Sequence, residues 1–271
     1  MKSSIIIPTY NRQLTTDRAI KSILACPGSS NVQILIVDDH SDIPFTSQYL
    51  RQQDSIHLMP KNSGANVCRA EGLRKASGEV IYLLDSDDYI IERDFDKNFE
   101  IVTKSPGNLY YCGYSGYTLK DLPPQITKEE YFDFILNRYP GIANTCTLCF
   151  SYKIKPTIDI SLPKHQDWDL VYFSFLKKGL IAKRIPGRVF IDRSDKKSIS
   201  RTKNYSRSLP WLEKLRKEEN TEIYHYASYW VLSKYRECMS LSEFILISIK
   251  LLYRKKISIT LIAKRFIQRF L

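Results

Sequence analysis

Three aspartates fall within four residues at Asp85-Ser86-Asp87-Asp88, directly after the uncharged run Val80-Ile81-Tyr82-Leu83-Leu84. Carboxylates this close repel one another unless water or a cation lies between them. Mg2+ and Mn2+ take hard oxygen ligands and commonly join one or two carboxylates to substrate phosphates. The same tetrad could instead cap the next helix, and the local sequence leaves both readings open. Asp38-Asp39 closes a second apolar run, and Pro8-Thr9-Tyr10-Asn11-Arg12 follows a third. Other chemistries lack their signatures. The position after the first apolar run carries no G-x-G-x-x-G, which disfavours NAD or FAD, and no G-x-x-x-x-G-K-[ST] phosphate loop occurs. Cys146 and Cys149 form a C-x-x-C, but no second Cys or His pair completes a zinc set. The six cysteines read as reduced, buried thiols.

The loaded stretches need strands to hold them. Residues 4–8 and 32–37 read as buried strands, Ser55 to Met59 as a short one, and Glu79 to Leu84 as another. Residues 14–25, Phe45 to Gln52 and Gly64 to Ala76 read as the intervening helices. The order β-α-β-α-β-α-β with apolar strands implies a parallel sheet covered on both faces. Ligands of such sheets bind beyond the carboxyl ends of the strands, and all three loaded stretches fall there. After residue 105 the pattern changes. Leu109 to Leu119 reads as a strand or hairpin, Lys128 to Leu136 as a helix and Thr145 to Tyr152 as a strand. Gln166 to Lys177 reads as a helix, Leu180 to Ile185 and Arg188 to Ile191 as strands, and the chain from Leu209 onward as helices. Tyr110, Tyr111, Tyr114 and Tyr117 could stack on sugar rings, but half-buried strand positions are the favoured reading.

Composition bounds the partners. The chain has 271 residues, 43% hydrophobic and 26% charged, with a net charge of +12. These values exclude a disordered chain, a collagen and a small disulfide scaffold. The positive charge predicts an acidic partner: nucleic acid, an anionic membrane or a phosphorylated substrate. It is concentrated in two places. Residues 177–217 hold 14 basic and 3 acidic residues, and residues 239–271 hold 7 basic and 1 acidic. The latter segment reads as a basic amphipathic tail that lies on an anionic membrane or packs on the core. Ile5-Ile6-Ile7 stopped by Pro8 reads as a strand and not as an export signal. The expected location is cytoplasmic, peripheral at the inner face of the membrane.

Taken in order, Ile-Ile-Ile-Pro-Thr-Tyr-Asn-Arg (5–12), Ile-Val-Asp-Asp-His-Ser (36–41), Asn-x-Gly (62–64) with Arg69, Gly78-Glu79 and Leu84-Asp85-Ser86-Asp87-Asp88 resemble the family 2 glycosyltransferases of the GT-A fold. The resemblance is strong over the first hundred residues and weakens to about residue 200. It implies an α/β three-layer sandwich with a mostly parallel central sheet. Residues 1–205 would be the catalytic domain, split into a nucleotide-sugar half (1–104) and an acceptor half (105–205). Residues 206–271 would form a C-terminal helical region.

The resemblance also implies roles. Pro8 and Tyr10 would frame the base, Asp39 would meet the uracil edge, and Arg69 would lie beside base and phosphates. Asp85 would sit near ribose and sugar, Asp87 would bind Mn2+ or Mg2+, and Thr9, Arg12 and Ser86 join the nucleotide-sugar contacts. Asp167 matches the catalytic base, with Gln166 in place of the usual Glu. A helix N-cap is its alternative role, and Asp169 is the competing base. Asp195 stands where the family commonly has a His near the diphosphate, so Arg193, Lys197 or Arg201 could supply the cation there. The implied activity is metal-dependent, inverting transfer from a UDP-sugar to the hydroxyl of a saccharide, expected to be lipid-linked in surface-polysaccharide assembly. A basic nucleic-acid-binding protein and an inactive scaffold relative are the alternatives; no nucleic-acid partner is expected.

Overall fold

The computed structural model describes residues 1–135, 143–192, 194 and 204–219, with scattered positions between 223 and 249. The chain divides into two compact units, Met1–Ile160 with Gln166–Ser194, and Ser161–His165 with Asp195–Leu271.

The first unit is built on one sheet. Strands β1 (Ser3–Thr9), β2 (Val32–Asp38), β3 (Ser55–Leu58) and β4 (Val80–Leu83) pair in parallel in the order β3-β2-β1-β4. Their Ile, Val and Leu side chains are buried on both faces in β1, β2 and β4, which is why those strands read as continuous apolar runs. Pro8 lies beyond the last β1–β4 pair, Ile6 with Leu83, so its missing N–H interrupts no bond on that side. Helix α1 (Gln13–Leu24) follows β1, and α2 (Ala65–Lys75) follows β3. Helix α2 lies directly on β1. A Cβ on Gly72 would come within 2.3 Å of the Ile6 side chain, so only glycine permits this approach. The close contact brings Arg69, one turn earlier, toward the strand ends.

Beyond β4 the sheet turns mixed. Strand β5 (Tyr89–Glu92) and helix α3 (Phe95–Lys104) precede β6 (Leu109–Tyr114). The rest of the unit holds β7 (Gln125–Ile126), α4 (Lys128–Asp133), β8 (Leu148–Ser151), α5 (Gln166–Ser174) and β9 (Ala182–Phe190). The order continues β4-β8-β6-β9-β5, with β8 antiparallel to both neighbours and β6 parallel to β9. One strand, β9, replaces the two expected at 180–191. Its first residues carry β7 and its last carry β5; the register of β6 slips opposite Ile185, Pro186 and Gly187, and that of β5 slips at Ile91, between the partners Val189 and Arg188. A proline in a strand is accommodated at such a bulge. The α/β sandwich expected from the sequence is therefore present, with its parallel half at β1–β4.

Two other local expectations change. No helix forms over Phe45 to Gln52. The Phe45 amide donates to Asp38, the Thr46 carbonyl accepts Gln13 Nε2, and Arg51 spans Asp54 and the carbonyls of Ser29 and Val32. Tertiary partners thus outbid the helical ladder. The β5–α3 stretch, absent from the sequence reading, carried one usable signal: Asp94, whose carboxylate caps α3 at the Lys97 amide, 3.0 Å away.

In the second unit, α6 (Leu209–Glu218) follows a turn of 3-10 helix at Tyr205–Ser208. His165 Nε2 lies 2.9 Å from Ser208 Oγ, and its ring packs on Trp211. Among the described residues no helix is long and apolar enough to cross a membrane.

Candidate active site

The carboxyl ends of β1, β2 and β4 lie side by side, as the parallel register requires. The Asp39 amide donates to the Thr9 carbonyl at 2.8 Å, and Asn11 and Asp42 exchange reciprocal hydrogen bonds across the two loops. Asn11 takes a left-handed backbone (φ 51°), which asparagine tolerates better than most residues. Tyr10 is exposed beside it, while Pro8 and Thr9 are buried and the Thr9 hydroxyl pairs with Thr16.

The two aspartates after β2 divide their work. Asp38 is fully buried and accepts the Ser41 amide, the Ser41 hydroxyl and the Phe45 amide. It is a loop anchor. Asp39 accepts the amides of Ser63 and Gly64, each at 2.7 Å, and so holds the turn that leads into α2. A carboxylate has about four lone-pair sites, so these two bonds leave it further acceptor capacity.

Each of the first two acids of the tetrad has its own arginine. Asp85 receives Arg69 at 2.5 Å and the Thr145 hydroxyl at 3.2 Å. Arg69 is buried and is also bonded to Asn66, which in turn holds the Asp159 carbonyl. Asp87 pairs with Arg12, which leaves the β1 loop at the N-cap of α1. Arg18, a turn and a half into that helix, donates to the Asp87 carbonyl and to the Asp192 carboxylate. Ser86 is buried, and so is Asp88, which accepts the Asp192 amide at 2.9 Å. Burial, aided by the charge of Asp85, raises the Asp87 carboxyl above its usual range against the pull of Arg12. The same two causes push Asp88 up to about 8. A crowded, partly buried set of hard oxygens suits a divalent cation, and Asp87, partly exposed, is the residue that could hold one. Among the described residues no group of three His, Cys, Asp or Glu side chains forms a complete metal cage.

Asp167 stands in the first turn of α5, where its Oδ1 accepts the Trp168 amide at 2.9 Å. It lies one residue inside the helix and bonds the adjacent amide, so it does not occupy the N-cap position. It also shares the field of the tetrad. Burial pushes its carboxyl up to about 6, with Arg69 opposing the rise and Asp85 adding to it. Asp169, the competing base, is buried at 1% exposure, whereas Asp167 keeps partial access to solvent. The Tyr131 hydroxyl supports the helix from below through the Trp168 carbonyl.

The remaining sequence candidates sort by burial. Tyr110, Tyr111 and Tyr114 are core residues, the first two bonded through their hydroxyls to the Ser105 and Pro123 carbonyls. They are strand positions and not a sugar platform. Cys146 and Cys149 are free and buried, and burial holds both thiols well above their usual range. Cys146 lies in a 3-10 turn ahead of β8 and not in the strand itself. Arg193, Asp195, Lys197, Arg201 and most of 239–271 lie outside the described residues. Sequence reasoning missed Arg18, Asn66, Thr145 and Asp192. None sits in a recognisable motif; each acts through a partner distant in the chain.

The chain matches Glycosyl transferase family 2 over residues 4–157, more than half its length. It is 29% identical over 191 residues to TuaG of Bacillus subtilis, a glycosyltransferase assigned to teichuronic acid biosynthesis, covering 66% of this chain and 73% of that one. It is 35% identical over 96 residues to the GalNAc(5)-diNAcBac-PP-undecaprenol beta-1,3-glucosyltransferase of Campylobacter jejuni, covering 33% and 31%. The match spans 55% of an uncharacterized glycosyltransferase of Haemophilus influenzae at 30% identity and 49% of this chain, about half the length of that relative. Among solved structures, Staphylococcus aureus TarS 1–349 in complex with UDP-GlcNAc superposes with a TM-score of 0.56 over 88% of this chain and 72% of that one, at 16% identity, a likeness of fold. With the motif order, the strand-end acids and the family match in agreement, the chain belongs to glycosyl transferase family 2.

Proposed function

We propose that this protein transfers a sugar from a nucleotide sugar, a UDP-sugar, to an acceptor hydroxyl with inversion at the anomeric carbon. The observation that carries the reading is positional: Asp39, Asp85 and Asp87 follow β2 and β4 at the carboxyl ends of the parallel strands, in a chain that matches family 2 over residues 4–157. Burial raises the carboxyl of Asp167, from α5, to about 6, with Arg69 opposing the rise and Asp85 adding to it. Inverting transfer asks for one base, which takes the acceptor proton as its oxygen attacks. A carboxyl near 6 is ionised at neutral pH yet still basic enough to receive a proton. Asp39, Arg69, Asp85 and Tyr10 would bind and orient the donor. Mn2+ or Mg2+, held by Asp87, would supply charge neutralisation for the departing diphosphate. Arg193, Lys197 and Arg201 are the cations we assign to the same diphosphate.

Support for the donor class comes from TarS, solved with UDP-GlcNAc. Support for a lipid-linked saccharide acceptor comes from the Campylobacter relative, whose name carries an undecaprenol diphosphate. Support for a place in surface-polysaccharide assembly comes from TuaG. The basic segment 239–271 would then serve as contact with an anionic membrane, where such an acceptor resides.

The test is a donor screen with UDP-Glc, UDP-Gal, UDP-GlcNAc and GDP-Man in the presence of Mn2+. One UDP-sugar should release UDP, with the signal lost in EDTA and restored by added Mn2+. Asp87→Ala should lower turnover by about 100-fold or more. Full turnover by Asp87→Ala in EDTA would overturn the metal assignment.

A further inference from the structure

Arg18 reaches from α1 to three other stretches of chain. It donates to the main-chain carbonyl of Asp87 and, at 3.0 Å, to the Asp192 carboxylate just beyond β9. Its Cζ lies over the Tyr89 ring at the start of β5, 4.8 Å from the ring centre. Tyr89 in turn stacks on Phe190, the last residue of β9, at 4.8 Å. One turn further along α1, the Ser22 hydroxyl accepts the Ile90 amide at 3.0 Å. Helix α1 is thus a spine to which the chain leaving the acidic tetrad is fastened. The tetrad itself is a closed turn, with the Asp88 amide donating to the Asp85 carbonyl at 3.0 Å. The Asp85 carboxylate is fixed by Arg69 and Thr145, and that of Asp88 by the Asp192 amide. The Asp87 carboxylate pairs with Arg12, whereas Arg18 takes the main chain of the same residue. As an ion pair with Asp192, Arg18 contributes little to stability, because its side chain is 41% exposed and solvent screens it. What it adds is a charged donor on the peptide of Asp87, a bond stronger than a neutral one.

We infer that Arg18, held against Asp192, is a positioning residue for Asp87: it fixes the main chain of the acid proposed to bind the metal ion, and so sets metal affinity without touching the ion. This rests on the proposed metal-dependent reading. A short acid such as aspartate has only two side-chain torsions, so the direction of its Cα–Cβ bond limits where its oxygens can go. A peptide that loses the partner of its carbonyl can rotate, and that bond turns with it. Groups that orient a metal ligand from outside the coordination sphere typically change metal affinity by about 10–100-fold. Arg18 is suited to this role because its fork spans two acceptors, one on the tetrad and one on the end of β9.

The experiment is Mn2+ binding by electron paramagnetic resonance in the presence of UDP, on the wild type, Arg18→Met, Arg18→Lys and Asp192→Ala. The urea midpoint of each protein and its affinity for UDP without metal are measured beside it. Arg18→Met should bind Mn2+ about 10–100-fold more weakly than the wild type, with the urea midpoint and the metal-free UDP affinity near the wild type. Arg18→Lys, a single-point donor without the fork, should recover part of the loss. Asp192→Ala keeps its amide on Asp88 but frees Arg18, and should weaken Mn2+ binding by a smaller factor. Wild-type Mn2+ affinity in a folded Arg18→Met overturns the inference and leaves the metal reading standing. A loss of Mn2+ affinity matched by equal losses of UDP affinity and of urea midpoint marks a merely structural residue and overturns it too. Should Arg18→Met not fold, wild-type Mn2+ affinity in both Arg18→Lys and Asp192→Ala overturns the inference. Absence of Mn2+ binding by the wild type with UDP overturns the inference and the metal reading together.

Discussion

At the ends of β1, β2 and β4 the acids are engaged by the protein itself, whereas at the start of α5 the acid is left poised. Asp38 takes three hydrogen bonds, Asp39 two backbone amides, Asp85 an arginine and a hydroxyl, and Asp87 an arginine. Asp167 takes the amide of the next residue in its own helix, and its surroundings push its carboxyl up to about 6. An acid surrounded by donors gives its energy to loop shape. An acid in dry surroundings with modest donation keeps affinity for a proton. The first arrangement suits binding and the second suits proton transfer.

The sharpest way to break this contrast is to remove the poised acid. Asp167→Asn keeps an oxygen for the Trp168 amide but cannot accept a proton from an acceptor hydroxyl. Transfer should fall about 10²–10⁴-fold, while UDP binding measured by calorimetry stays near the wild type. A comparable loss from Asp169→Asn, with Asp167→Asn still active, would move the base to Asp169.

Removing an engaged acid should instead weaken the fold. Asp38→Ala leaves the Ser41 amide, the Ser41 hydroxyl and the Phe45 amide without their acceptor in a fully buried position. The expected cost is about 3 kcal/mol or more, read from urea denaturation. A change below about 1 kcal/mol would mean the loop finds other donors and acceptors, against the division of labour drawn here.

The smallest effect tests the poised acid through stability. The folded carboxyl of Asp167 lies near 6, above its ordinary value of 3.8, so the native state binds this proton more tightly than the unfolded chain. Its contribution is therefore favourable below about pH 4 and is lost as pH rises through 6. Asp167→Asn should be more stable than the wild type at pH 8 by about 1–3 kcal/mol, with the difference shrinking toward pH 4. The wild-type kcat/KM should rise through pH 6 and level off above it. A pH-independent stability difference would place the carboxyl in an ordinary aqueous setting.

The parallel half of the molecule was readable because one physical cause dominates it. Strands buried on both faces must be apolar throughout, and the residue after the last apolar position is necessarily near the strand end. That logic located Thr9, Asp39 and Asp85 without coordinates. It failed where the backbone found tertiary partners, as over Phe45 to Gln52, and where a bulge joined two short runs into β9. The stretch from β6 to β9 has antiparallel pairs, short 3-10 turns and a proline-bearing strand, and its periodicity is correspondingly weak.

From the sequence alone came the fold class, the family resemblance and the identity of the acids, because hydrophobic periodicity and motif order are properties of the chain. Only the tertiary structure decided who pairs with whom. Arg12 with Asp87, Arg69 with Asp85, Arg18 with Asp192 and Asp88 with the Asp192 amide join residues far apart in sequence. The same holds for charge state. Asp38 and Asp39 are identical neighbours in the sequence, and so nearly are Asp167 and Asp169. What separates their roles is burial and the donors within reach, and folding alone creates both.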